Sequence, residues 1–141
     1  MMSQTAVEAL VTDLFEALNS GDPGRVGALY AADYRGNDVG QAGGVSGREA
    51  VVRSYSRLIA AFPDARFEGE SLVSGERVAL IWTMHGIHRG PFLNVPATGR
   101  EVEIRGVSVL AIADGRFASG TRIWDVAGFL RQVRLIPELP E

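Results

Sequence analysis

The sequence predicts an α+β fold in which one curved antiparallel sheet wraps around helices from the N-terminal half. Apolar residues recur at helical spacing before Pro63, and from Phe67 onward apolar and polar residues alternate with a period of two. The short turns Ser74-Gly75 and Asp114-Gly115 pair consecutive strands antiparallel. Helices first and antiparallel strands afterwards are typical of α+β domains.

Three helices are predicted before Pro63. The first has an apolar stripe from Val7 to Leu18, with Thr5 and Glu8 as a capping box. The second is short, with Asp22 as its N-cap and Pro23 in its first turn. The third begins at a capping box of Ser46 and Glu49 and ends before Pro63. Between the last two helices, the Gly-rich segment from Tyr34 to Gly44 is predicted to be a functional or mobile loop.

Four strands and a short helix are predicted after Pro63. The spans are 67–73 and 77–85 for the first hairpin, 102–113 and 116–126 for the second, and 128–133 for the helix. The segment from Pro91 to Arg100 is predicted to be a loop. We interpret residues 1–141 as a single domain, because no repeat or second core interrupts the pattern.

Composition excludes several classes of function. The 141 residues carry a net charge of −3, and the 14 Lys and Arg residues are scattered, so a nucleic-acid partner is not expected. There is no cysteine, and only two histidines, so no disulfide, thiolate metal site or other metal site is expected. No apolar run approaches the roughly 18 residues of a membrane span. We therefore expect a cytoplasmic protein without a membrane partner.

Asp125 is the residue that most needs a chemical explanation. It stands between an apolar strand and the start of a helix, in the run Arg122-Ile123-Trp124-Asp125-Val126-Ala127-Gly128. A carboxylate in such surroundings is costly unless it is paired, protonated or used. It can serve as an N-cap of the following helix, or as an acid/base in an apolar cavity. On residue types alone, both alternatives remain open.

Several phrases of the chain resemble the SnoaL-like polyketide cyclase family, within the nuclear-transport-factor-like superfamily. They lie along nearly the whole chain: Ala17–Asp22, Leu29–Tyr34, Gly47–Val51, His88–Gly90, Val95–Arg100, Asp114–Arg116 and Trp124-Asp125. The resemblance implies a cone-shaped sheet around the helices and an enzyme without metal or organic cofactor. It also implies an aromatic polyketide-like substrate, and a homodimer formed through the outer sheet face.

The resemblance also implies roles for individual residues. Asp125 matches the acid/base of an intramolecular aldol ring closure, and Asn37 matches an amide that holds the substrate. His88 matches a recurring histidine before the Pro-Ala-Thr-Gly loop, expected at the pocket mouth. Tyr34 and Phe92 are expected to contact the ligand from flanking loops.

One departure from the family pattern opens alternatives to ring closure. Ser108 stands where cyclases of this group carry a histidine, and Ala118-Ser119-Gly120-Thr121 is an insertion that can shift the register of the last strand. An oxygen-dependent, cofactor-independent hydroxylase of an anthraquinone-type polyketide is one alternative, and a non-catalytic ligand-binding module is another. For hydroxylation, Arg105 and Arg122 are candidates to stabilise an anionic substrate. Strand parity directs both away from Asp125, which favours surface or interface roles.

Overall fold

The computed structural model describes residues 2–40 and 43–140, and confirms the α+β class. In chain order the helices are α1 Gln4–Leu18, α2 Pro23–Gly27, α3 Arg48–Ala61 and α4 Val126–Gln132. The strands are β1 Tyr30–Asp38, β2 Gly44–Ser46, β3 Arg66–Ser74, β4 Arg77–Ile87, β5 Glu101–Ala113 and β6 Arg116–Trp124. They form one curved, open sheet of order β2-β1-β6-β5-β4-β3.

The helix boundaries follow local hydrogen bonding. The N-cap of α1 is Ser3, not Thr5, because the Ser3 hydroxyl accepts from the backbone N–H of Ala6 at 3.1 Å. Asp22 caps α2 as predicted, accepting from the N–H of Gly24 at 3.0 Å. The Ser46–Glu49 capping box of α3 is wrong, since Gly47 occupies the N-cap position at a φ of 86°.

The predicted Gly-rich loop is mostly strand. Residues 30–38 pair in parallel with β6, and 35–37 pair antiparallel with β2. The sheet therefore contains one parallel pair beside its antiparallel ones. Residues 41 and 42 of the predicted loop lie outside the described residues.

The two predicted hairpins are confirmed, with one irregularity in the second. Asp114 and Gly115 have φ values of 52° and 76°, the left-handed pair that a two-residue turn requires. Beyond this turn Ile112 pairs with Phe117, but Ala111 pairs with Ser119, so Ala118 is an extra residue in β6. This β-bulge shifts the register and reverses which β6 side chains face the helices.

The core lies between the helices and the inner sheet face, in two neighbouring clusters. One joins α1 and α3 to the middle of the sheet, and Val7, Leu14 and Phe117 are almost fully buried in it. The other lies under the C-terminal helix, around Phe62, Met84 and Phe129. Among the described residues, no helix is both long and apolar enough to cross a membrane.

Candidate active site

A cavity of about 610 Å³ opens between the inner sheet face and helices α1 and α3. Its walls are mostly apolar, with side chains from both core clusters. The polar or aromatic residues of the lining are Phe15, Tyr30, Tyr34, Asn37, Asp38, Ser54, Tyr55, Arg57, Phe67, Trp82, Phe92, Asn94, Ser108, Thr121, Arg122 and Trp124. An apolar cavity with few polar groups is the usual form of a small-molecule site.

Asp38 is the acidic residue of this lining in the described part of the chain. It is only 5% exposed, and its carboxylate accepts four hydrogen bonds. Arg122 donates two, from Nε at 3.1 Å and from a terminal nitrogen at 2.6 Å. Trp124 Nε1 donates at 2.9 Å, and the Gly40 backbone N–H donates at 3.0 Å. A buried carboxylate with this many donors is fixed in position as well as compensated in charge.

Three strands bring this group together. Tyr34 and Asp38 are buried on the inner face of β1, while Arg35 and Asn37 between them are exposed. Arg122 pairs in register with Asp38 on β1 and with Ser108 on β5. The bulge at Ala118 makes this alignment possible, since an unshifted hairpin would place Thr121 opposite Ser108.

Two tyrosines lie beside the ion pair. The rings of Tyr30 and Tyr34 meet edge to face with centroids 4.9 Å apart. Burial raises the pKa of both phenols, and the nearby Arg122 guanidinium opposes that rise. Both are therefore protonated at neutral pH and can donate a hydrogen bond to an oxygen in the cavity.

The aromatic wall of the cavity comes from three further side chains. Trp82 Nε1 donates to Ser108 Oγ at 3.0 Å, which fixes the indole on the inner sheet face. Phe92 packs against Trp124 with centroids 5.9 Å apart. Flat apolar surfaces of this kind suit a planar ligand.

Asp125 does not lie in the cavity. Its side chain is exposed and caps α4, accepting from the Gly128 N–H at 2.8 Å. Asp125 does not share a face with Ser108, because Gly106 pairs with Trp124 and Ser108 with Arg122. The inner positions of β6 are thus Arg122 and Trp124, while Ile123 is 56% exposed.

Most of the other predicted site residues belong to the cavity lining, and Arg105 does not. Tyr34, Phe92 and Ser108 line the cavity, and Asn37 reaches its lining from an exposed position on β1 rather than from a loop. Arg105 is exposed on the outer sheet face, away from the cavity. Arg122 faces inward, contrary to the surface role that parity favoured, because of the bulge at Ala118.

His88 is fully buried rather than at a pocket mouth. Its Nδ1 lies 3.0 Å from Thr98 Oγ1, while its Nε2 has no hydrogen-bond partner among the described residues. Its ring packs on Phe62 and Phe129. Desolvation by this burial lowers the pKa of His88, and the nearby backbone of Gly90 and Val95 partly opposes that fall.

Sequence reasoning missed Asp38. The signal for Asp38 was present in the alternation Tyr34, Gly36, Asp38, which places all three on one strand face. Within residues 2–40 and 43–140, no cluster of three or more His, Asp or Glu side chains has the proximity to hold a metal ion.

Comparison with known proteins agrees with this architecture. The family model described as SnoaL-like polyketide cyclase matches residues 8–133. A search of curated proteins found no match. Among solved structures, IdmH from Streptomyces antibioticus, a candidate polyketide cyclase, is 28% identical with a TM-score of 0.78, and the match covers 91% of this chain and 98% of that one.

Two structures of lower sequence identity show the same fold. AclR from Streptomyces galilaeus, a candidate hydroxylase, is 24% identical with a TM-score of 0.86, over 99% of this chain and 87% of that one. A protein of ketosteroid isomerase-like fold from Catenulispora acidiphila, bound to trimethylamine, is 19% identical with a TM-score of 0.76, over 93% and 97%. Given the family-model match over most of its length, the chain belongs to the SnoaL-like polyketide cyclase family.

Proposed function

We propose that this protein is an enzyme that forms an enolate of an aromatic polyketide-like ketone and closes a ring with it. The observation that carries the proposal is the Asp38–Arg122 ion pair in the wall of a largely apolar cavity. A carboxylate beside a fixed cation offers a proton acceptor next to a group that stabilises the resulting oxyanion. The match to the polyketide cyclase family supports this substrate class.

The proposed reaction needs only groups of this chain. Asp38 accepts a proton from the carbon next to a substrate carbonyl, in place of one hydrogen bond from Arg122. The released Arg122 N–H, with the phenols of Tyr30 and Tyr34, donates to the enolate oxygen. The enolate carbon then attacks a second carbonyl of the same molecule, forming the carbon–carbon bond. The new alkoxide takes the proton back from Asp38, so the product is an isomer of the substrate. No step uses a metal or an organic cofactor.

Substrate placement in the proposal follows from the aromatic wall. Trp82, Phe92 and Trp124 offer apolar faces for a flat ring system, while Ser108 offers a hydroxyl group at the sheet. In this arrangement Asp125 stabilises α4 and does not contact the substrate.

A second candidate reaction is oxygen-dependent hydroxylation of an anthraquinone-type substrate. Arg122 favours it, because a cation in the cavity wall stabilises the substrate anion that reacts with oxygen. Ser108, in place of a histidine donor on β5, is compatible with either reaction. In this candidate the substrate anion forms a carbon–oxygen bond with molecular oxygen to give a hydroperoxide. The oxygen–oxygen bond then breaks with loss of water, so the substrate supplies the electrons and keeps one oxygen atom.

Mass spectrometry separates the candidates. Purified protein is incubated with an anthraquinone-type polyketide, as its ester and as its free acid, with and without oxygen. Ring closure predicts a product of unchanged mass, or of that mass less water, formed without oxygen. Hydroxylation predicts an oxygen-enriched product formed only in air. An unchanged substrate that raises the melting temperature would favour the non-catalytic binding module and contradict both reactions.

The proposal includes a homodimer through the outer sheet face. Ile81, Val107 and Ile123 stand side by side across β4, β5 and β6, and each is at least one-third exposed. Leu72 and Val109 extend this apolar surface. A contiguous apolar surface on a sheet is a common site of association between identical chains.

A further inference from the structure

The mouth of the cavity lies between α3 and the segment that follows β4. The lining residues Arg57 and Ala60 on α3 are exposed, and so are Pro91 and Asn94 in that segment. The segment is fastened to the end of α3, because the backbone N–H groups of residues 89 and 90 both donate to the carbonyl of Ala61, at 2.9 and 3.1 Å. These hydrogen bonds fix the position of the segment relative to α3.

A tight turn forms the side of the mouth opposite α3. Phe92 and Val95 exchange two backbone hydrogen bonds, at 3.0 and 2.8 Å, and the two residues between them have positive φ. Leu93, at a φ of 51°, occupies a conformation that costs a non-glycine residue about 1 kcal/mol or more. The backbone at the mouth is thus held in a single, strained geometry, which is common at ligand sites.

Charge at the mouth is unbalanced. Of the charged lining residues in the described chain, Asp38 and Arg122 compensate each other, and Arg57 is the third. Arg57 has no ion-pair or hydrogen-bond partner among the described residues, although the protein as a whole is acidic. An uncompensated cation at the opening of an apolar cavity attracts an anionic ligand.

We propose that Arg57 determines specificity by binding a carboxylate of the substrate at the cavity mouth. This inference rests on the proposed function, and narrows its substrate class to aromatic ketones with a free carboxylic acid at the end remote from the reacting carbonyls. A guanidinium can donate two parallel hydrogen bonds to a carboxylate, which fixes direction as well as affinity. Ser54, one turn earlier on α3, and Asn94 across the mouth supply further polar groups.

Tryptophan fluorescence provides the test, because both tryptophans of the chain line the cavity. An anthraquinone carboxylic acid and its methyl ester are titrated into wild-type protein, Arg57→Gln and Arg53→Gln. Arg53 is the matched control: it lies one turn earlier on α3, is exposed, and is not part of the cavity lining. We expect wild type to bind the acid about tenfold more tightly than the ester.

The variants distinguish contact from general electrostatics. Arg57→Gln should lose that preference, while its affinity for the ester stays at the wild-type level. Arg53→Gln should keep the preference. Equal binding of acid and ester by wild type, or equal losses in the two variants, would overturn the inference and leave the proposed function intact. Failure of both probes to bind wild type would contradict the aromatic ligand class, and with it the proposed function.

Discussion

At the scale of single residues, the proposed reaction depends on which carboxylate faces the cavity. Strand parity correctly groups Asp125 with Thr121 and Ile123, but it does not reveal which face of β6 points inward. That face is set by the bulge at Ala118, which reverses the inward positions between Phe117 and Gly120. A single extra residue in a strand leaves composition and alternation almost unchanged, so the sequence alone could not decide it.

The cap role of Asp125 gives a prediction about stability. Asp125→Ala should lower the free energy of unfolding by about 1 kcal/mol, because the Gly128 N–H loses its acceptor. Asp125→Asn should lower it by only a few tenths, since asparagine also caps helices well. Urea denaturation of the three proteins measures both changes. If Asp125→Asn lowers the free energy of unfolding as much as Asp125→Ala does, Asp125 stabilises the protein through its charge and not through the cap.

At the scale of elements, most helices and hairpins could be predicted, and the strands β1 and β2 could not. The hairpins follow from local turn chemistry at Asp114-Gly115 and Ser74-Gly75, which the sequence displays directly. The strand β1 contains alanine, aspartate and glycine, which have low strand propensity, and its paired residues in the parallel partner β6 lie 84 to 87 positions later in the sequence. Its formation depends on that distant pairing, which no local pattern reports.

The segment between β4 and β5 gives a prediction about pH. His88 anchors it through backbone bonds to residues 99 and 100 and through Thr98 Oγ1. Because burial lowers the pKa of folded His88, the unfolded chain binds a proton first as pH falls below about 6.5. Stability is therefore complete above that pH and declines as pH falls toward the folded pKa, by at most about 1.4 kcal/mol per pH unit.

Urea denaturation at pH 7.5 and pH 5.5 measures this decline. His88→Gln removes the titrating group and retains hydrogen-bonding capacity toward Thr98. Its free energy of unfolding should therefore fall less between the two pH values than that of wild type. His85→Gln is the control, since His85 is partly exposed and pairs with Glu68 at 2.9 Å. A wild-type loss that persists fully in His88→Gln would assign the pH dependence to other groups.

At the scale of the whole molecule, the two faces of the sheet carry different side chains. The inner face carries the cavity with its ion pair, and the outer face carries exposed apolar side chains. Alternation within each strand produces both faces from one sequence. The family resemblance could be read from short phrases along the chain, whereas the cavity contents required the register of three strands at once.

The outer face gives a prediction about assembly. Val107→Asp places a charge in the middle of the row formed with Ile81 and Ile123, and should convert a dimer into a monomer of 15.1 kDa. Light scattering after size-exclusion chromatography measures the mass. Leu139→Asp, which changes an exposed leucine outside the sheet, should leave the dimer unchanged. A wild-type protein that is itself monomeric would contradict the proposed dimer.

We propose that catalysis takes place at Asp38 and Arg122 in the cavity. Turnover of the polyketide acid by Asp38→Asn and Asp125→Asn, measured side by side with melting temperatures to verify folding, tests this proposal. Asparagine at 38 can still accept from Trp124 and Gly40 but cannot serve as the base, so we expect a loss of about 100-fold or more. We expect Asp125→Asn to retain wild-type turnover. Full turnover in folded Asp38→Asn, or its loss in Asp125→Asn, would contradict the account.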